Sequence, residues 1–86
     1  MKPVLREVWA RIRDRLRAEV GEGPFESWLQ SLILVEQRGA SVRLATPTLT
    51  MRDFIEANFK EPIAAEWRRA GAGVDAVEII VKPNGY

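Results

Sequence analysis

The stretch from Gly23 to Phe59 most constrains the fold of this chain, because its hydrophobic period changes twice. It begins with apolar residues at the i, i+3, i+4 and i+7 positions of a helix, continues with two runs typical of strands, and ends with a second helical pattern. A helix, a hairpin and another helix must therefore share one core. We expect the rest of the chain to pack around this unit.

The residues before this stretch predict an amphipathic helix. Pro3 suits the first turn of a helix, where its missing N–H costs nothing, and apolar residues then recur at helical spacing as far as Val20. Gly21 and Gly23 should end this helix. Pro24 is expected to start a second helix that turns sharply and lies against the first.

Three strands are predicted after these helices. The apolar run from Ile33 to Glu36 and the alternating run from Ser41 to Thr46 flank Gly39, which can adopt the positive φ of a tight hairpin. Because the first strand is apolar on both faces, we expect it to be central or covered. The third strand, from Val77 to Val81, returns after a helical crossover.

The crossover helix contains a proline. Thr48 or Thr50 can cap the start of this helix, and Pro62 predicts a kink or break near Lys60-Glu61 with a helical continuation after it. Most large apolar side chains of these helices are expected in the core, with partner contact as the alternative for the first two. They are Phe25, Trp28, Phe54, Phe59, Ile63 and Trp67.

These elements predict one α/β (α+β) domain in the order ααββαβ, with a three-stranded mixed sheet and the helices packed on one face. A chain of 86 residues can form such a domain, although it buries only about 60–65% of the surface that its unfolded form exposes. Residues 1–82 are expected to form the domain, and residues 83–86 a tail or the start of a linker.

Composition argues against catalysis. The chain has no cysteine and no histidine, so thiolate metal sites, disulfides and the commonest general base are absent. The acids of the third helix are predicted to form a solvated face paired with neighbouring basic residues, rather than a metal or acid–base site. They are Asp53, Glu56, Glu61 and Glu66. We therefore expect no enzyme activity, no catalytic residue, no cofactor and no metal.

The net charge of +1 gives no strong attraction to nucleic acid or membrane. No apolar run approaches the roughly 18 residues of a membrane span, and the first residues lack the apolar core of a signal peptide. A cytoplasmic protein without membrane contact is the expectation. Arg6, Arg13 and Arg17 form one approximate stripe on the first helix, which is either a solvated face or a weak contact to the phosphates of a single strand.

In order and spacing, these residues resemble the N-terminal domain (domain I) of the family of the bacterial chromosomal replication initiator DnaA. The resemblance covers about residues 4–82. It is carried by Trp9 in the first helix, Phe25-Glu26-Ser27-Trp28-Leu29, the element from Pro47-Thr48 through Asp53-Phe54-Ile55, then Phe59, Ile63 and the last strand. The chain is either an excised first domain of such an initiator or a free-standing relative.

The resemblance implies a KH-like fold and a non-catalytic docking module in the initiation of chromosomal DNA replication. Such a domain is expected to associate weakly with a second copy of itself, to recruit the replicative helicase DnaB or adaptor regulators, and to bind single-stranded DNA weakly. A KH-like module that binds single-stranded nucleic acid is the alternative function. The two differ in salt dependence, because phosphate contacts weaken steeply as salt rises.

The resemblance also implies two groups of contact residues. Leu5, Val8 and Trp9 would form the self-association face, with Trp9 either in the core or partly exposed as an anchor. The partner-docking patch would consist of Glu22, Phe25, Glu26, Thr48 and Thr50. The chain departs from the family pattern at Pro24, where an acid is frequent, and at Thr50, where an aromatic residue is frequent.

Overall fold

The structure, a computed structural model, describes residues 4–82. The elements are α1 (Leu5–Val20), α2 (Glu22–Pro24) continued by a π-helical segment (Phe25–Leu29), β1 (Ile33–Arg38), β2 (Ser41–Thr46), α3 (Leu49–Asn58), α4 (Lys60–Arg69) and β3 (Ala76–Val81). The predicted α+β class and order of elements are confirmed. The predictions for Pro3 and for residues 83–86 lie outside the described residues.

The sheet is mixed, with β2 in the centre. β2 pairs with β1 in antiparallel orientation and with β3 in parallel orientation. The prediction that the first strand is central or covered is therefore wrong: β1 is an edge strand, and Ile33 at its start is 53% exposed. The reason is the crossover, which returns β3 to the free edge of β2 and so leaves β1 at the rim.

The two faces of the sheet differ in character. On one face Val42, Leu44 and Ile79 are buried and pack with the helices into a single core. On the other face Arg43 bridges the strands, with its guanidinium 2.8 Å from a carboxylate oxygen of Glu78 and 3.1 Å from one of Glu36. The alternation along each strand thus separates the core from a charged surface.

The helix after β2 breaks at Phe59, slightly before the predicted position. Of the two candidate caps, Thr48 performs the role, because its hydroxyl accepts a hydrogen bond of 3.1 Å from the N–H of Met51. Pro62 cannot donate a hydrogen bond to the carbonyl of Asn58, so a continuous helix would lose a bond there. With the break at Phe59, the proline instead falls in the first turn of α4, where its missing N–H costs nothing.

The predicted core is correct for Phe25, Ile63 and Trp67, which are buried. It is wrong for Phe54, which is 36% exposed. The neighbouring Ile55 takes the fully buried position of α3, and the turn of about 100° between adjacent helical residues carries Phe54 to the rim. Trp28 and Phe59 are half-buried against the core.

Glu66 also departs from the prediction of a solvated acidic face, since only 3% of it is exposed. It lies three residues after Ile63 on α4, so both side chains are on the helix face that packs in the core. Its carboxylate accepts a hydrogen bond of 2.9 Å from Arg69 and lies 3.8 Å from the guanidinium of Arg15 on α1. This acid is thus part of the contact between α1 and α4.

Candidate docking surface

Two aromatic rings meet at the surface between the π-helical segment and α3. The rings of Trp28 and Phe54 are nearly parallel, with 3.7 Å between their centroids and an interplanar angle of 13°. Phe59 lies behind them, with its ring centroid 5.9 Å from that of Phe54. Because Trp28 is half-buried and Phe54 is 36% exposed, this pair, the aromatic stack, presents part of its apolar surface to solvent.

The π-helical segment accounts for the position of Trp28. Its wide turn is closed by a hydrogen bond of 2.8 Å from the N–H of Gln30 to the carbonyl of Phe25, five residues earlier. Phe25 points into the core and is 1% exposed, whereas Trp28 remains at the rim. The segment therefore separates two aromatic side chains that the sequence places on one helical face.

The residues of the predicted docking patch are brought together only in part. Glu22, Glu26, Thr48 and Thr50 are exposed, whereas Phe25 is buried and offers no contact area. Thr50 lies four residues before Phe54, one turn away on the same side of α3, and Glu26 precedes Trp28 on the π-helical segment. Of these polar residues, Thr50 thus lies on the side of α3 that carries Phe54, and Thr48 caps α3.

Sequence reasoning missed the exposure of Phe54, because its helical spacing matched a core position. The available signal was the resemblance itself, whose second element contains Phe54 beside the docking residues. For Trp28, the sequence analysis gave contact with a partner as the alternative to a core position.

Trp9 belongs to the core. It is 7% exposed, and its indole stacks on that of Trp67, with 5.9 Å between the ring centroids and an interplanar angle of 8°. Val8 is 2% exposed and Leu5 is half-buried. Of the two interpretations of Trp9, the structure favours the core residue, and the predicted self-association face offers little free surface.

A shallow apolar groove of about 340 Å³ nevertheless runs between α1 and the start of β1, beside Trp9. Its lining comprises Arg6, Trp9, Ala10, Arg13, Leu32, Ile33 and Leu34. The most exposed apolar side chain here is Ile33, with 53% exposure. If a second copy binds near Trp9, Ile33 would supply the contact area that the buried indole lacks.

The arginine stripe of α1 is divided in the structure. Arg13 donates hydrogen bonds of 2.9 Å to the carbonyl of Leu32 and 3.1 Å to that of Gln30, and its guanidinium lies 5.4 Å from the ring centroid of Phe25. Burial, and then the nearby charge of Arg17, lower the pKa of Arg13 from its ordinary value. Arg13 therefore links α1 to the residues that follow the π-helical segment. Arg6 and Arg17 are exposed.

The acidic side chains and the helices bear on two other kinds of contact, with metal ions and with membranes. Within residues 4–82 there is no group of three acidic residues close enough to hold a metal ion. None of the helices in this part of the chain is both long and apolar enough to cross a membrane. The aromatic stack is the candidate contact with another macromolecule, because its two rings come from different elements and Phe54 is partly exposed.

Comparison with known proteins gives a consistent match. The profile of the DnaA N-terminal domain matches residues 6–69. The chain is 32% identical over 82 residues to the chromosomal replication initiator protein DnaA of Nitrobacter hamburgensis, covering 95% of this chain and 17% of that protein. It is 31% identical over 78 residues to the DnaA of Gluconobacter oxydans, covering 91% and 16%. The chain thus spans about a sixth of the length of these relatives.

Proposed function

Because the chain belongs to the DnaA N-terminal domain family, we propose that it is a non-catalytic docking module in the initiation of chromosomal replication. Its relatives bear the name of chromosomal replication initiator. The partners proposed are the replicative helicase or an adaptor regulator, and a second copy of the same domain.

The observation that carries this proposal is the aromatic stack. Exposed aromatic side chains held rigidly by their neighbours are frequent hot spots of protein interfaces, because they bury large area at low cost in conformational entropy. Trp28 and Phe54 come from two different elements, so the stack fixes its own geometry before any partner binds. The exposed side chain of Thr50, one turn from Phe54 on α3, can provide part of the polar rim that surrounds such a centre.

Self-association is proposed at the groove beside Trp9, with Ile33 as the central contact. An exposed isoleucine at the edge of a sheet leaves apolar area that a second copy can cover. Arg13 donates hydrogen bonds to two backbone carbonyls of its own chain, which weakens the case for the alternative function, binding of single-stranded DNA through the α1 stripe.

The experiment is a titration of the chain with the helicase of the same organism, comparing wild type, Phe54→Ala and Leu49→Ala. Leu49 is a suitable control because it is 62% exposed, lies on the same helix and is outside the stack. Phe54→Ala should weaken binding at least tenfold and Leu49→Ala by less than about twofold, as expected for a hot spot and a peripheral residue. Equal affinity of all three proteins would refute docking through the stack.

A further inference from the structure

The last strand, β3, forms the second edge of the sheet, and one of its sides pairs with no strand among residues 4–82. In a parallel pair, alternate residues bond to the neighbouring strand. The N–H groups of Ala76 and Lys82 donate hydrogen bonds of 3.1 and 2.9 Å toward β2. Val77, Ile79 and Val81 are out of phase with them, so their N–H and C=O groups point away from β2. This row of backbone groups, the free edge of β3, is open to a further strand.

A groove of about 570 Å³, the β3 groove, lies along this free edge, between β3 and α3. The strand wall is the segment from Val77 to Val81. The helix wall consists of Leu49, Arg52, Glu56 and Lys60. Because α3 begins three residues after Thr46, which pairs with Val81, and Arg52 then reaches Ile79, the helix and the strand run in opposite directions.

Arg52 marks the place where a backbone partner is missing. Its Nε donates to the carbonyl oxygen of Ile79 at 3.4 Å, which is a long hydrogen bond. In a wider sheet, an N–H of the next strand would donate to this carbonyl. In the described part of the chain, no loop carbonyl accepts a hydrogen bond from the N–H of Ile79. A fourth strand would therefore satisfy both backbone groups of this residue.

The two edges of the sheet differ in their readiness for another strand. The register of β1 shifts between Leu34 and Glu36, so Val35 lies in an irregularity of the kind that twists an edge away from further pairing. The register of β3 is continuous over its six residues, from Ala76 to Val81. Strand addition is thus favoured at β3.

The charges of the β3 groove indicate which segment fits it. Two cations, Arg52 and Lys60, and one anion, Glu56, line the helix wall. Glu78 belongs to the charged face of the sheet and is bound to Arg43 at 2.8 Å. A side chain that enters beside the helix wall therefore meets an excess of one positive charge, which favours an acidic residue.

Two other occupants fit less well. A nucleic-acid strand carries negative charge, but its phosphates have no donor for the carbonyl of Ile79, whereas a polypeptide offers donors and acceptors at the spacing of a strand. A second copy paired through β3 would bring two Arg52 side chains near each other, and their like charges would repel.

We propose that the β3 groove binds an extended segment of a partner protein, which has an acidic residue at its centre and adds antiparallel to β3 as a fourth strand. The acidic residue exchanges two backbone hydrogen bonds with Ile79, and its carboxylate takes the guanidinium of Arg52 from the carbonyl. In such strand addition, backbone bonds give affinity and alternate side chains give specificity. The groove shares no residue with the aromatic stack or with Ile33, so its failure would leave the docking proposal unaffected.

The test uses the whole 86-residue chain and the peptide acetyl-Thr-Val-Thr-Glu-Thr-Val-Thr-amide, with Lys in place of Glu as the comparison. Amide hydrogen exchange followed by NMR should be faster for Ile79 and Val81 than for Glu78 and Ile80 in the free chain. The Glu peptide should slow the first pair and bind at least fivefold more tightly than the Lys peptide. Slow exchange of Ile79 and Val81 without peptide, or equal binding of both peptides, would overturn the proposal.

Methylated peptides and two variants identify the groups involved. N-methylation of the central glutamate removes the donor to Ile79 and should weaken binding about tenfold, whereas N-methylation of the preceding threonine, whose N–H points away, should change it less than about twofold. Arg52→Gln should abolish the preference for Glu over Lys. Arg11→Gln, an exposed position of α1 outside the groove, should retain it. Equal effects of the two methylations, an unchanged preference in Arg52→Gln, or displacement of the peptide by an equal concentration of single-stranded oligothymidylate would contradict the proposal.

Discussion

The indole of Trp28 lies flat against the ring of Phe54, with 3.7 Å between the ring centroids. The pair joins the π-helical segment to α3 across the surface. It can therefore serve two purposes, because it stabilises the contact between two elements and presents a preformed apolar surface. The first of these purposes can be measured without any partner.

Trp28→Ala and Phe54→Ala should each destabilise the chain, and the double variant should lose less than the sum of the two. Stacked aromatic pairs contribute about 0.5–1.5 kcal/mol beyond the area that they bury. The measurement is urea unfolding of the four proteins of the cycle. The pair Trp28 and Leu49 provides the control, since Leu49 is outside the stack and should give additive losses within about 0.5 kcal/mol. Full additivity for Trp28 and Phe54 would show that the stack contributes nothing.

Trp9→Ala should lower the free energy of unfolding by about 3–5 kcal/mol, because it removes a buried indole and leaves a cavity beside Trp67. Val4→Ala is the comparison: Val4 precedes the same helix, is 51% exposed and should cost less than about 0.5 kcal/mol. Chemical denaturation measures both. A loss below about 1 kcal/mol for Trp9→Ala would contradict its place in the core.

Self-association is better tested at the exposed Ile33 than at the buried Trp9. Loss of association in Trp9→Ala cannot be assigned to an interface, because the substitution disturbs the core. Ile33→Glu is the sharper change: it places a charge on an exposed apolar position and should leave the fold intact. In sedimentation at high concentration, we expect wild type and Leu49→Glu to associate and Ile33→Glu to be monomeric. A monomeric wild type, or an Ile33→Glu that associates equally, would exclude the groove as the contact.

Thr48→Ala should cost about 1 kcal/mol through the loss of the cap of α3. Thr50→Ala is a matched control: Thr50 is exposed in the first turn of the same helix and its hydroxyl makes no cap bond to Met51. Thermal unfolding distinguishes the two. If Thr48→Ala is as stable as Thr50→Ala, the hydrogen bond to Met51 does not stabilise the helix.

The elements of the fold could be predicted because each has a clear hydrophobic period and a glycine or proline near its ends. The place of β1 could not, since an apolar run is equally compatible with a central strand and with an edge strand that has a partly exposed face. Pro62 predicted that the helix would break, but it did not predict the residue at which the break occurs. The break at Phe59 places Pro62 in the first turn of α4, and other positions of the break would have done the same.

The candidate site was less predictable than the fold. Helical spacing cannot distinguish a core position from one at the rim when adjacent residues are both apolar, which is why Phe54 was misassigned and Ile55 took its place. Glu66 was misassigned for the converse reason: composition marks a glutamate as exposed, and only the packing of α4 on α1 shows otherwise.

The central proposal, docking through the aromatic stack, can be tested with the three tryptophans as internal reporters. Trp28 is in the stack, whereas Trp9 and Trp67 are in the core. When unlabelled helicase is added in small amounts to the ¹⁵N-labelled chain, the indole N–H signal of Trp28 should shift or lose intensity first and most. Loss confined to Trp9, or equal loss of all three signals in both wild type and Phe54→Ala, would contradict the proposal.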